Sequence, residues 1–281
     1  MISPDAIASA QRQIPPVAKV LSDLQRLLAD TDTALEDIAR LIKIDPALAA
    51  RVVQIANSPH FRRGDACETI FDAVNRIGFR EVYHVVAVVG SAAIVSQPVL
   101  TYRKDAIAMW RESLACAFAS EMLAESCGED PVAGYMSGLL HAIGRLAVNQ
   151  HLVGSTAESG KIKQLNDDGF PRDFSGDEFA QFGFTQAEVA ACMLTKWNFV
   201  ASVVEPVRAQ YEPLNAEEPF DRLAGVLYCG RFLRTLVCDG TEPEATDADD
   251  EVLELVGLTR EDLIDYAPAV TEALTKAQSM G

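Results

Sequence analysis

The chain has 281 residues, enough for two domains or for one compact helical unit with appended ends. Hydrophobic residues make up 49% and charged residues 23%, ordinary globular usage that excludes disorder over most of the length. Twenty-four Lys and Arg face 41 Asp and Glu, a formal charge of −17; so negative a surface repels phosphate backbones, and no run of the sequence supplies a basic patch to offset it.

The first residues, Met1 to Gln13, lack a basic flank followed by an apolar block, so no secretory signal is expected. Thr33 to Glu36 have the spacing of a capping box, and Leu35, Ile38, Ala39 and Ile42 recur on one helical face behind it. Asp45-Pro46 starts the next helix with an N-cap carboxylate and a proline whose missing amide costs nothing there. Its stripe is Leu48, Val52, Val53 and Ile55, and Asn57-Ser58-Pro59 stops it. A third helix carries Ile70, Ala73, Val74 and Ile77 and ends at Gly78. The valine-rich stretch from Glu81 to Gln97 is too long for a strand, and its apolar heart, Val85 to Val95, is too short to cross a bilayer; it reads as a buried helix.

Helical patterns resume from Asp105 to Cys127, Pro131 to His151, Thr185 to Lys196 and Phe199 to Gln210. Gly154 to Gly183 mixes helix signals with turns. Beyond Pro213 come an apolar helix from Phe220 to Cys238, an acid-rich run from Asp239 to Glu251, and one or two terminal helices from Leu253 to Lys276. Period-two alternation and hairpin turns are nearly absent, so the fold class is all-α, and glycine-rich nucleotide loops of the Rossmann or P-loop kind have no support. No two of the six cysteines have the two-to-four-residue spacing of a zinc knuckle or redox pair; they read as small buried residues of a reducing, cytoplasmic setting.

The most suggestive local sequence is Gly138 to Leu146, in which His141 closes an apolar helix segment. A metal site needs three or more convergent donors, and an aspartate after such a histidine would add one; here Ala142 adds none. Around this segment stand Ile14-Pro15-Pro16-Val17, Ile44 to Leu48 with Ala56-Asn57-Ser58, Arg76-Ile77-Gly78, Trp110 with Ser113, Glu178 through Phe182-Gly183, Ala187-Glu188-Val189 and Lys196-Trp197. In this order and spacing the chain, over about residues 12 to 213, resembles the HDOD family, signalling-output relatives of the HD-type metal phosphohydrolases.

The resemblance implies a two-lobed helical architecture: an extension over residues 1–11, a helical lobe over 12–100, an HD-like lobe over 101–213, and a C-terminal helical extension with an acidic loop over 214–281. Carried over residue by residue, the family's metal-associated positions are depleted. Glu112 replaces the histidine of Trp-x-His-Ser, and His141 alone remains of the His-Asp pair. Thr185-Gln186 replaces an Asp-His, and Gln210-Tyr211-Glu212-Pro213 replaces a His-His-x-Pro. HD-type hydrolysis uses its metal to make hydroxide and clamp phosphate charge, which two surviving ligands do not support. The expectation is therefore no metal, no cofactor and no catalytic residue, with Trp110, Glu112, His141, Gln186, Trp197 and Gln210 lining a vestigial cleft.

For His141 a buried histidine bonded to backbone or carboxylate outweighs metal ligation, with Glu112 as its partner; Trp110 and Trp197 are more often core filler than pocket walls. Arg62-Arg63 and Arg103-Lys104 read as members of salt bridges to neighbouring helices. The resemblance implies a non-catalytic bacterial signalling module acting through contacts with a receiver, kinase or cyclic-dinucleotide enzyme, with no nucleic acid, no membrane and an oligomeric state left open. No receiver pattern is present, so input is expected from another protein or from a further portion of the polypeptide. The rivals are a divergent phosphohydrolase using Glu112, His141 and one of Asp167, Asp168, Asp177 or Glu178, and a small-ligand (nucleotide) sensor built on the vacated cleft.

Overall fold

The computed structural model describes residues 2–10, 16–30, 32–94, 98–155, 164–240 and 247–280. Among them the regular elements are all helical, with one isolated bridge between Val99 and Lys104. No helix is long and apolar enough to cross a membrane among these residues. The chain forms two compact units: residues 1–12 with 97–275, and residues 13–96 with 276–281. The segment beyond 213, expected as an extension, thus lies in the same unit as residues 97–213 as far as Thr275, and so does the N-terminal segment.

The smaller unit holds α2 (Pro16–Ala29), α3 (Leu35–Ile42), α4 (Pro46–Ala56), α5 (Ile70–Ile77) and α6 (Phe79–Ile94). α6 packs on α2, α4 and α5, and it buries Val82, Tyr83 and Val85 to Val88, that is, nearly its whole circumference; the valine run is helical because the interior takes it on every side. Asp45 caps α4 by accepting from the amides of Ala47 and Leu48, as its sequence requires. The capping box at Thr33 does not form. The Thr33 hydroxyl donates instead to the Leu27 carbonyl at the end of α2, and the start moves one residue on, with the Ala34 amide donating to Asp37. The Asn57 side chain accepts from the Cys67 amide at 2.7 Å and donates to the Cys67 carbonyl at 2.9 Å, while Arg76 donates to Asn57 and to the Asp65 carbonyl. These bonds close the 57–67 loop and give Asn57 and Arg76 of the family pattern a structural role. Arg62 and Arg63 form no ion pair among the described residues, contrary to expectation, because their loop projects them outward.

The larger unit is organised on α7 (Ala106–Cys127), capped by Asp105 and buried over most of its length. It packs against α8 (Pro131–Leu140) and α13 (Asp221–Asp239). Backbone proximity explains the small residues of α8: a Cβ on Gly138 would lie 2.5 Å from the Cys116 carbonyl oxygen, and one on Gly134 2.6 Å from that of Ser120. The helix expected from Pro131 to His151 is broken. α8 ends at Leu140, a tight turn follows in which Ile143 and Arg145 donate to carbonyls three residues back, and α9 (Gly144–Ser155) begins. α10 (Ser175–Phe182), α11 (Gln186–Lys196) and α12 (Ala201–Ala209) complete the walls, with α1 (Pro4–Ala10) packed on α9 and α11. α14 (Asp247–Val256) and α15 (Arg260–Met280) end the chain; the Ile14-Pro15 of the family pattern, residues 156–163, and residues 241–246 of the acidic run lie outside the described residues.

Candidate functional site

The break after α8 places His141 at a helix C-terminus with no exposure. Its Nδ1 lies 2.7 Å from the Gly138 carbonyl oxygen, which only accepts, so Nδ1 carries the proton and Nε2 presents a lone pair. Burial, then the Arg234 and Arg145 guanidiniums, hold the imidazole well below its usual proton affinity, so it is neutral. Two glutamines converge on its backbone. Gln186 at the start of α11 donates to the His141 carbonyl at 3.0 Å, and Gln210 after α12 donates to the same oxygen at 2.8 Å. Gln186 also donates to the Tyr211 hydroxyl at 3.1 Å. His141 Nε2 and the Oε1 atoms of both glutamines have no hydrogen-bond partner among the described residues.

Glu112, on α7, is the partner not of His141 but of cations. One oxygen accepts from Lys104 Nζ at 2.5 Å; the other lies 3.4 Å from Arg234 and 4.0 Å from Arg145. The centre of the network is Asp173, a buried residue in the left-handed backbone region (φ 49°). Its Oδ2 accepts from Arg145 and Arg231 at 3.1 Å each, and its Oδ1 from Arg234 at 3.0 Å. Burial alone would raise the Asp173 carboxyl, but the Arg234, Arg231 and Arg145 charges outweigh it and hold the group well below the usual carboxylate range. Arg231 donates as well to the carbonyls of Gln210 and Pro171, and its guanidinium lies 4.5 Å from the Tyr211 ring centre; Arg145 lies 5.2 Å from that of Phe174. Glu178 accepts from the Tyr102 hydroxyl at 2.6 Å and from the Gln186 amide at 2.8 Å, and burial raises its carboxyl despite both bonds.

Of the six residues read as a cleft, His141, Gln186 and Gln210 are joined by hydrogen bonds, and among the described residues Glu112 is connected to them only through the Arg145 and Arg234 guanidiniums. Trp110 precedes Glu112 by two positions, so it leaves α7 on nearly the opposite side, and it is half-buried. Trp197 is buried at the far end of α11, eleven residues and about 16 Å of helix from Gln186. Among the acids weighed for a rival site, Glu178 is turned to Tyr102 and Gln186, and Asp177 accepts from Asn166. Sequence reasoning missed Asp173, Arg145, Arg231 and Arg234. The signal for two of them was available: Arg231 and Arg234 interrupt an apolar helix, where guanidiniums require buried anions.

The resemblance to HD-type phosphohydrolases implies a metal here, and the residues present do not fit one. Every carboxylate oxygen of Glu112 and Asp173 faces a fixed cation, and the lone pair of His141 lies in the field of the same three guanidiniums, which would repel a dication. Among the described residues no group of three or more His, Cys, Asp or Glu is placed to hold a metal ion. What remains open is a cavity of about 330 Å³ beside Glu112, walled by Tyr102, Phe174 and Leu165 and edged by Lys104 and Asp167.

The sequence model of the HDOD domain matches residues 14–213. The chain is similar, at 25% identity over 241 residues, to an uncharacterised protein of Treponema pallidum (strain Nichols); the match covers 85% of this chain and spans 45% of the relative's length. In structure it is similar to an HDOD domain protein of unknown function from Geobacter sulfurreducens (TM-score 0.72, 19% identity, 99% of this chain and 98% of that one). It is also similar to a protein of Marinobacter aquaeolei VT8 named for a proposed role in signal transduction (TM-score 0.71, 22% identity, 100% and 62%). A third, from Shewanella amazonensis SB2B, is named as a proposed phosphohydrolase (TM-score 0.63, 23% identity, 96% of each chain). The motifs around His141, the helical fold that assembles them and the match across residues 14–213 agree: this chain belongs to the HDOD family.

Proposed function

We propose that the chain is a non-catalytic signal-transduction module that works through protein contacts, its hydrolase pocket filled by its own arginines. The names of its structural relatives point both to signalling and to hydrolysis, and a shared fold serves either, so the chemistry of the pocket has to decide. The single observation that carries the reading is Asp173 bonded to three guanidiniums in the interior. Two of those, Arg231 and Arg234, come from α13, beyond the matched residues 14–213. They supply the positive charge a metal would supply, but a guanidinium has no exchangeable water to ionise and no open coordination position, so no hydroxide nucleophile forms. The partners proposed are a receiver, a kinase or a cyclic-dinucleotide enzyme.

The test is direct. Purified chain is titrated with Mn²⁺ and Zn²⁺ by calorimetry and assayed against a cyclic dinucleotide and a bis-aryl phosphate. No saturable metal binding and no hydrolysis are expected. One metal per chain, with hydrolysis lost in Glu112→Ala or His141→Ala, would overturn the reading. A second reading, a small-ligand sensor, is favoured by one observation, the cavity of about 330 Å³ beside Glu112. A thermal-shift screen with nucleotides separates the two, because a ligand bound only by the folded form raises the midpoint.

A further inference from the structure

The smaller unit carries a concave site of its own, far in sequence from the His141 network. A cavity of about 330 Å³ is lined by Arg51, Gln54, Ser58, His60, Lys276 and Ser279 over an apolar floor at Ile55. Every ionisable group in that lining is basic. The balance of charge explains why this matters: residues 13–96 and 276–281 hold ten Lys and Arg against ten Asp and Glu, so the whole −17 of the chain resides in the other unit. An anion approaching this cavity meets a neutral body with a cationic pocket.

The pocket is also held in shape. The Asn57–Cys67 and Arg76–Asp65 bonds fix the loop that presents Ser58 and His60, and Arg51 donates to Gln54 at 2.7 Å, which orients its guanidinium. Lys276 pairs with Glu81 at 3.6 Å, a half-exposed contact that water screens and an incoming anion can displace.

We propose that this cavity binds the phosphoryl group of a small phosphorylated ligand. The planar Arg51 fork and the Lys276 ammonium neutralise the charge, and the hydroxyls of Ser58 and Ser279 and the Gln54 amide offer further donors, more than the two oxygens of a carboxylate use. A bare phosphate leaves most of the volume empty, so the rest of the ligand lies along Ile55. A nucleic-acid strand is disfavoured by the chain's net charge of −17, and the limited volume of the cavity suits a small ligand instead. This site is independent of the reading given for the His141 network and stands or falls separately.

The test is amide-resonance titration of the full chain with inorganic phosphate, with pyrophosphate and with acetate at low ionic strength. Saturable shifts confined to residues 51–60 and 276–279 are expected with phosphate and pyrophosphate, at least about tenfold weaker in Arg51→Gln and in Lys276→Gln. Glu81→Gln frees Lys276 and should tighten binding, a gain that misfolding does not mimic. Absence of saturation by about 10 mM, equal binding of acetate, or affinities unchanged across the three variants would overturn the proposal.

Discussion

The two units reach a folded interior by opposite means. The larger one buries Glu112, Glu121, Arg145, Asp173, Glu178, Arg231 and Arg234, and it brings helix backbones together through glycines such as Gly134 and Gly138. The smaller one buries Ser22, Gln25 and Ser91 as its polar groups and no charged side chain among the described residues; its glycines at 64 and 78 face open space at turns. An apolar core needs no partner to be stable, whereas buried charge is tolerated only while its counter-charges stay in place. The larger unit therefore has an interior whose stability depends on its charge pairs staying together, and the interior of the smaller one rests on apolar packing.

The sharpest way to break this contrast is to remove the hub. Asp173→Ala leaves three buried guanidiniums without their shared anion and should cost about 3–5 kcal/mol in urea-unfolding free energy. A loss under 1 kcal/mol would mean that the arginines are solvated and that the two interiors do not differ in kind. Next in size is Gly138→Ala: the added methyl meets the Cys116 carbonyl, and separating α7 from α8 should cost about 1–3 kcal/mol, read as a lowered melting midpoint.

The pH dependence sharpens the same comparison. His141 is neutral when folded, with its proton affinity lowered, so the unfolded chain takes up the proton that the folded chain refuses. Its stability contribution is complete above the unfolded value near 6.5 and declines as pH falls toward the folded value, with a slope of at most about 1.4 kcal/mol per pH unit. Glu178, with its affinity raised by burial, acts in the opposite sense just above the ordinary carboxylate value, since there the folded chain holds the extra proton. Urea midpoints measured at pH 7.5 and 5.5 should therefore fall in the native chain and flatten in His141→Gln. The smallest effect belongs to the smaller unit: Asp45→Ala removes the cap from α4 and should cost about 1 kcal/mol, with no change in that pH slope.

Much of the helical framework was legible in the residues. Asp45-Pro46 and Asp105 announce helix starts, the 3.6-residue stripes announce their faces, and these signals work because capping and amphipathicity are settled within a few residues of chain. The break at His141 was not legible, since nothing in Leu140 to Gly144 forbids a continuous helix; it depends on how closely Gly144 approaches α11. Nor was the grouping of residues 276–281 with 13–96, because motifs mark where family resemblance stops and not which segments touch.

The candidate site divides in the same way. The identities of Glu112, His141, Gln186 and Gln210, at positions that the family resemblance associates with metal, are written in the chain itself, as is the charge of −17. What occupies the space instead is decided by residues 112, 145, 173, 231 and 234, which lie up to 122 positions apart and meet only through the packing of α7, α9 and α13 around the turn at Asp173. Local interactions select each helix without reference to its neighbours, but a buried guanidinium can be neutralised only by whatever anion the completed fold sets beside it.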